Sequence, residues 1–159
     1  MPTHAVILDR LSKAGLALPQ PPKPVAAYVP FVMTGQLLFI SGQIPFRNGV
    51  LVATGRVPSA VSIELAQDAT RQCVLNGLSV AASALGGDLG RVKRIVRVGA
   101  FVQCDDGFAD QPKVANGGSE LLRDIFGDAG THARAAVGVN ALPLDASVEV
   151  DFIIEVTES

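Results

Sequence analysis

The sequence predicts an α+β fold, a single sheet carrying two long helices on one of its faces. Two observations predict it. A strand hairpin comes early in the chain, and long helices then alternate with few strands, in the order helix, strand, strand, long helix, strand, helix, strand, strand. A third observation sets the organisation. No internal repeat and no dividing linker interrupts the 159 residues, a length that suits one domain with its own core.

Each element has local grounds. Residues 4–14 place Val6, Ile7, Leu11 and Ala14 near helical spacing, with Gly15 as a stop signal. Asp9 and Arg10 interrupt that apolar stretch, which argues for a short amphipathic helix and against a signal peptide. Four prolines between positions 19 and 24 make an extended connector. "AYVPFVMTG" and "QLLFISGQI" read as two strands joined by a turn around Thr34-Gly35-Gln36. The second strand runs from Leu37, Leu38, Phe39 and Ile40 into Ser41-Gly42-Gln43, which is either turn chemistry or a way of delivering backbone donors to a site. Residues 45–58 read as loop, with a turn at Arg47-Asn48-Gly49 and a short strand at 50–53.

The longest periodic segment is 63–85. Ser62 is its N-cap and Glu64 suits its first turn. Leu65, Ala69, Cys73 and Val80 share a face, with Val74, Leu78, Ala81 and Leu85 beside them, and the many alanines predict close packing on a sheet. In the strand that follows, Val96, Val98, Ala100, Val102 and Cys104 fall on one side, while Ile95, Arg97, Gly99, Phe101 and Gln103 make a mixed second face. A second helix spans 111–126, with Pro112 tolerated in its first turn and Leu121, Leu122, Ile125 and Phe126 as its apolar patch. The last segment gives two strands. In the final one Val148, Val150, Phe152, Ile154 and Val156 point one way, and Glu149, Asp151 and Glu155 the other.

Composition excludes several classes. Hydrophobic residues make up 48% and charged residues 18%, which is a globular balance. No apolar run approaches the roughly 18 residues of a membrane span. The formal net charge is −2, with no Trp and one Tyr, which counts against a dedicated nucleic-acid binder. Cys73 and Cys104 lie in core-like segments and make neither a disulfide framework nor a metal cluster. His132 has no second histidine nearby, so it is a poor metal ligand, and His4 is expected to be exposed or disordered. A cytoplasmic location is the expectation.

Few residues could carry chemistry. Alternation around Arg134 puts Ala135, Val137 and Val139 toward the core and Arg134, Ala136, Gly138 and Asn140 on the other side. An arginine among small residues leaves room before its planar fork, which matches a carboxylate bidentately, although a solvated arginine fits the same spacing. Glu149 is a carboxylate on the non-core face of its strand, able to act as a general base or simply to meet solvent. A tight hairpin near Pro143-Leu144 would pair Arg134 with about Ile153, so nothing local brings Arg134 to Glu149. Tyr28 could contact a ligand or cap the core, and Asn116 is a mediocre helix former that a side-chain contact would explain.

"AAYVPFVMTGQLLFISGQIP", Asn116 and "HARAAVGVNALPLDASVEVDFIIEV", taken in order, resemble the Rid/YjgF family of reactive-intermediate deaminases over roughly residues 20 to 157. The resemblance implies a chorismate-mutase-like mixed sheet assembled as a homotrimer, with clefts between subunits. The trimer would account for the half-apolar second face of the 93–104 strand. Residues 1–18 are then a helical extension to a single domain. The implied activity is hydrolysis of 2-imino or enamine acids to 2-keto acids and ammonia, with no metal or organic cofactor. Arg134 would clamp the carboxylate, Glu149 would position the water, and Tyr28, Ser41, Gly42, Asn116 and Ala136 would line the pocket. Many active members carry a cysteine where this chain has Ala136, a proline where it has His132, and Gly-Pro where it has Ala26-Ala27. A non-catalytic binder of small carboxylates is the alternative. A ribonuclease is disfavoured by the acidic balance and the scarcity of aromatics.

Overall fold

The structure is a computed structural model that describes residues 1–21, 23 and 27–158; the middle of the expected proline-rich connector, with Ala26, lies outside them. Helix α1 (His4–Lys13) is followed by β1 (Phe31–Thr34), β2 (Leu37–Gln43), β3 (Phe46–Arg47), β4 (Val50–Leu51), α2 (Ile63–Ala84), β5 (Val92–Gln103), α3 (Gln111–Phe126), β6 (Ala133–Val139) and β7 (Val148–Val156). Five strands form one sheet in the order β1-β2-β7-β5-β6, and β3-β4 stands apart as a hairpin. All pairings in the large sheet are antiparallel except β5 with β6. The parallel pair follows from the β5-α3-β6 connection, since a crossover long enough to hold a helix lets the chain return in the same direction. Helices α2 and α3 pack on each other and on the same face of the sheet.

Strand β7 anchors the arrangement. Its residues alternate strictly between buried and half-buried, with Val148, Val150, Phe152, Ile154 and Val156 in the core. The core continues through Leu38 and Ile40 on β2, Ile95, Val98 and Val102 on β5, and the inner faces of the helices. Ser62 caps α2, its hydroxyl accepting from Leu65 N at 3.1 Å. Leu65 itself is 41% exposed, so the apolar stripe of α2 begins one residue later than expected, at Ala66 and Ala69. Ile95 is core and Val96 is not, because β5 is bulged against β7 on either side of Ile95 and the extra residues reset the alternation.

Asn48 and Gly49 both take positive φ (53° and 79°), which is the turn a two-residue hairpin needs between β3 and β4. Helix α1 buries Ile7 and Leu11 against α3 and the 3₁₀ turn Leu89–Arg91. Arg10 Nη1 donates to Ile125 O at 2.6 Å, placing a cation over the carbonyl end of α3. His4, expected to be exposed or disordered, is half-buried instead, its Nδ1 accepting from Leu89 N at 3.1 Å. Both cysteines are free and buried. Among the described residues no helix is long and apolar enough to cross a membrane.

Two glycines bring the helices together. A methyl group at Gly117 would lie 2.5 Å from the Gln67 carbonyl oxygen, and one at Gly118 would lie 2.9 Å from Thr70 Cγ2 and Val74 Cγ2. The Gly117 obstacle is backbone and cannot swing aside. Gly117→Ala is therefore expected to destabilise the protein by about 1–3 kcal/mol, through overpacking that outweighs the gain in helix propensity. Denaturant titration checks this; an unchanged midpoint would contradict the close approach of α2 and α3.

Candidate functional site

The expected site residues fall into two groups in the chain. The first is built on β2 and β7. Ile40 pairs with Phe152 and Gln43 with Val150, so Ser41 and Gly42 together oppose Asp151 in a β-bulge. The small polar break in an apolar strand is thus neither a simple strand end nor a turn. Ser41 spends its hydroxyl on the incoming chain, donating to Val29 O at 2.7 Å, and Ser41 N donates to Pro30 O at 3.0 Å. These bonds hold the segment that carries Tyr28, which is 54% exposed and no part of the core. Glu149 lies on the open face, as its alternation predicts, paired with Phe101 on β5. Its carboxylate lies over Gly42, where a Cβ would collide with it. Burial, with the Asp151 charge as a second cause, raises the Glu149 carboxyl above its ordinary value.

The second group is built on β6 and α3. Val98 pairs with Arg134, Ala100 with Ala136 and Val102 with Gly138, so these β6 side chains share the helix side of the sheet. The expected facing of this strand is reversed. Ala135 and Val137 lie on the open face, and Val137 is 45% exposed. Alternation separates the faces of an edge strand without saying which is inner, and here the polar face is covered by α3. Arg134 Nη1 donates to Asn116 Oδ1 at 2.9 Å and to Ser119 Oγ at 3.0 Å. Nε and Nη2 have no partner among the described residues, which leaves one edge of the guanidinium free. His132 Nε2 lies 2.9 Å from Ser119 Oγ, and Nδ1 lies 2.6 Å from Gly130 O. Burial chiefly lowers the His132 pKa, the Gly130 carbonyl opposes that, and the Arg134 charge adds to it. A cavity of about 450 Å³ is lined by Asn116, Ser119, Glu120, Arg123, His132 and Arg134, with Gly130 and Thr131.

The two groups are apart within one chain. Strand β5 separates β6 from β7, so Arg134 and Glu149 stand two strand spacings, ~10 Å, apart across the sheet. Arg134 is level with Phe152, three residues along from Glu149, and the two side chains occupy opposite faces. No hairpin joins β6 to β7, because β5 lies between them. Ser119 and His132 were not among the expected site residues. Ser119 is one helical turn after Asn116, and His132 is two residues before Arg134, so each repeats the facing of a residue already singled out.

The open space over Gly42 is filled by the far end of a flexible side chain, so a methyl there should displace Glu149 and leave the fold intact. Gly42→Ala is expected to keep the melting temperature within a few degrees and to move the Glu149 pKa down toward the ordinary carboxylate value. Carbon-detected titration of the side-chain carboxyls reads both protein forms; an unshifted Glu149 would show that the bulge does not shape its surroundings.

Residues 8–156 match the family model described as "YjgF/chorismate_mutase-like, putative endoribonuclease". The chain is 41% identical to Protein TCP17 of Trypanosoma cruzi, over 94% of this chain and 93% of that one. It is 27% identical to a 2-iminobutanoate/2-iminopropanoate deaminase of Dermatophagoides farinae, over 87% of this chain and 93% of that one. Among solved structures, a protein of unknown function from Agrobacterium tumefaciens superimposes with a TM-score of 0.92 at 41% identity, over 97% of this chain and 94% of that one. The mixed five-stranded sheet, the paired helices on one face and the matched span agree, and the chain belongs to the YjgF family, with its chorismate-mutase-like α+β fold.

Proposed function

We propose that the protein hydrolyses small 2-imino or enamine acids to 2-keto acids and ammonia, in a site made where the Arg134 group of one subunit meets the Glu149 group of another in a homotrimer. The observation that carries this reading is the Arg134 guanidinium, held through Nη1 and, among the described residues, with its other edge free at a cavity. That edge has the geometry of a bidentate carboxylate clamp. The similarity to an imine deaminase from Dermatophagoides farinae supports the substrate class. The open face of the sheet supports assembly. Val32 (54% exposed), Phe39 (39%) and Val137 (45%) share it with Ile153 and Phe101, an apolar surface suited to burial against another copy of the chain.

The chemistry needs little more than holding and hydration. Arg134 binds the carboxylate and fixes the imine carbon. Glu149, as carboxylate, takes a proton from a water whose oxygen bonds to that carbon. The nitrogen of the resulting tetrahedral adduct takes up two protons, the one returned by Glu149 and the one from the adduct hydroxyl. The C–N bond then breaks as the C=O bond forms, and ammonia leaves with the 2-keto acid. A carboxyl with a raised pKa suits both halves of this proton traffic, since it holds the proton longer before returning it. Tyr28, Ser41, Gly42, Asn116 and Ala136 line the joined site, with Ala136 offering backbone where other members offer a thiol.

Imine generated by an amino-acid oxidase, with and without the protein, tests the activity. Arg134→Ala should lower kcat/KM roughly 100-fold, matching the loss of charge-assisted bonds worth ~3 kcal/mol. The base must be ionised, so activity should fall as pH drops through the raised Glu149 pKa, and Glu149→Gln should lose both rate and that acid limb. Co-refolding Arg134→Ala with Glu149→Gln should restore part of the activity, because some clefts then hold both intact residues. Keto-acid binding without turnover would leave a carboxylate-binding protein, and no recovery in the mixture would count against a shared site.

A further inference from the structure

The cavity at Arg134 holds two side chains that the clamp does not itself require. Their hydrogen bonds run in one direction. The Gly130 carbonyl can only accept, so His132 Nδ1 carries the hydrogen that lies between them at 2.6 Å. In the neutral ring Nε2 is then an acceptor, and the Ser119 hydroxyl donates to it across 2.9 Å. The Ser119 oxygen accepts in turn from Arg134 Nη1 at 3.0 Å. Arg134, Ser119, His132 and a fixed backbone carbonyl therefore form a relay whose polarity is set at the carbonyl end.

We propose that Ser119 and His132 are positioning residues for Arg134, fixing the rotation of its guanidinium so that the free edge meets a substrate carboxylate, and that a second proton on His132 loosens the clamp. This rests on the carboxylate-clamp reading above. A doubly protonated ring turns Nε2 into a donor aimed at a hydroxyl oxygen that already receives Arg134 N–H. The Ser119 hydrogen must swing away, and a second cation then stands beside Arg134. The charged groups that share the cavity with the ring are Arg134 on β6 and Glu120 and Arg123 on α3. The two arginines oppose the added proton and Glu120 favours it. Burial, only partly offset by the Gly130 carbonyl, keeps the ring neutral near pH 7, so the relay is intact there and fails on the acid side.

The test is calorimetric titration of 2-ketobutyrate into the assembled protein from pH 5 to 8, with melting temperatures read in the same buffers. Wild-type affinity should be level between pH 7 and 8 and fall several-fold on the acid side of the ordinary imidazole value, as the ring charges. Ser119→Ala and His132→Ala should each weaken binding about fivefold at pH 7.5, the scale of one neutral hydrogen bond, and should flatten the acid-side fall. Ser119→Thr, which keeps the hydroxyl, should restore both properties, and His132→Asn serves as a second variant if His132→Ala melts early. Glu149 is intact throughout, so any fall that persists in the variants belongs to it. If Arg134→Ala binds the keto acid like wild type, the clamp reading fails. If Arg134→Ala loses binding while the Ser119 and His132 variants keep wild-type affinity and pH dependence, only the relay is overturned.

Discussion

The structure depends on the register of β7. This strand is hydrogen-bonded on both sides, to β2 and to β5, and carries five apolar residues on its helix side. A slip of one residue would exchange Val148, Val150, Phe152, Ile154 and Val156 for Glu149, Asp151, Ile153 and Glu155 beneath α2. Three carboxylates in a core have no partners there, so the register is strongly specified. The same requirement fixes Glu149 on the open face beside Asp151. Burial is the main cause of its raised pKa, and the Asp151 charge that adds to it is a by-product of the alternation that makes the core.

The bulge at Ser41-Gly42 is held by polar bonds. Asn76 and Gln72 are buried on α2, a costly place for amides unless each is satisfied. Asn76 Nδ2 donates to Ile44 O at 3.0 Å and Phe46 O at 3.1 Å, and its Oδ1 accepts from Gln72 Nε2 at 2.9 Å. Gln72 Oε1 accepts from Arg47 Nε at 2.9 Å, and Arg47 also pairs with Asp68. The chain leaving the bulge is therefore tied to the long helix immediately afterwards. On the other side Ser41 ties the Tyr28 segment to the bulge. Core helix, bulge and approach segment form one connected frame around Glu149.

What was legible in the sequence follows from this. Alternation in β7 and periodicity in α2 and α3 report burial directly, and those elements stand where the pattern put them. The bulges in β2 and β5 were not legible, because an inserted residue changes the phase of a strand without any composition of its own. Strand β6 misled for a different reason. Its alanines, valines and glycine suit either face, and the polar partners that cover Arg134 come from α3, which sequence spacing cannot place over a particular strand. The pairing of β6 with β5 was hidden as well, since the short connection through Pro143-Leu144 is equally compatible with a hairpin. Resemblance supplied the candidate residues, but their division into two groups is a matter of strand order.

That division has a physical consequence. The Glu149 group depends on β2, β7 and the frame from α2, whereas the Arg134 group depends on β6 and the polar face of α3. Apart from β5, which pairs with both β6 and β7, the link between them is the close contact of α2 with α3, where Gly117 and Gly118 let α3 settle against Gln67, Thr70 and Val74. With side chains there, α3 would stand off from α2, and Asn116 and Ser119 would move relative to β6. The distance of 2.9 Å from Asn116 to Arg134 leaves little allowance for such a shift. Helix packing thus sets the posture of the arginine, while strand register sets that of the glutamate. Within one chain each can be altered with the other untouched, which is the arrangement the proposed shared site would need.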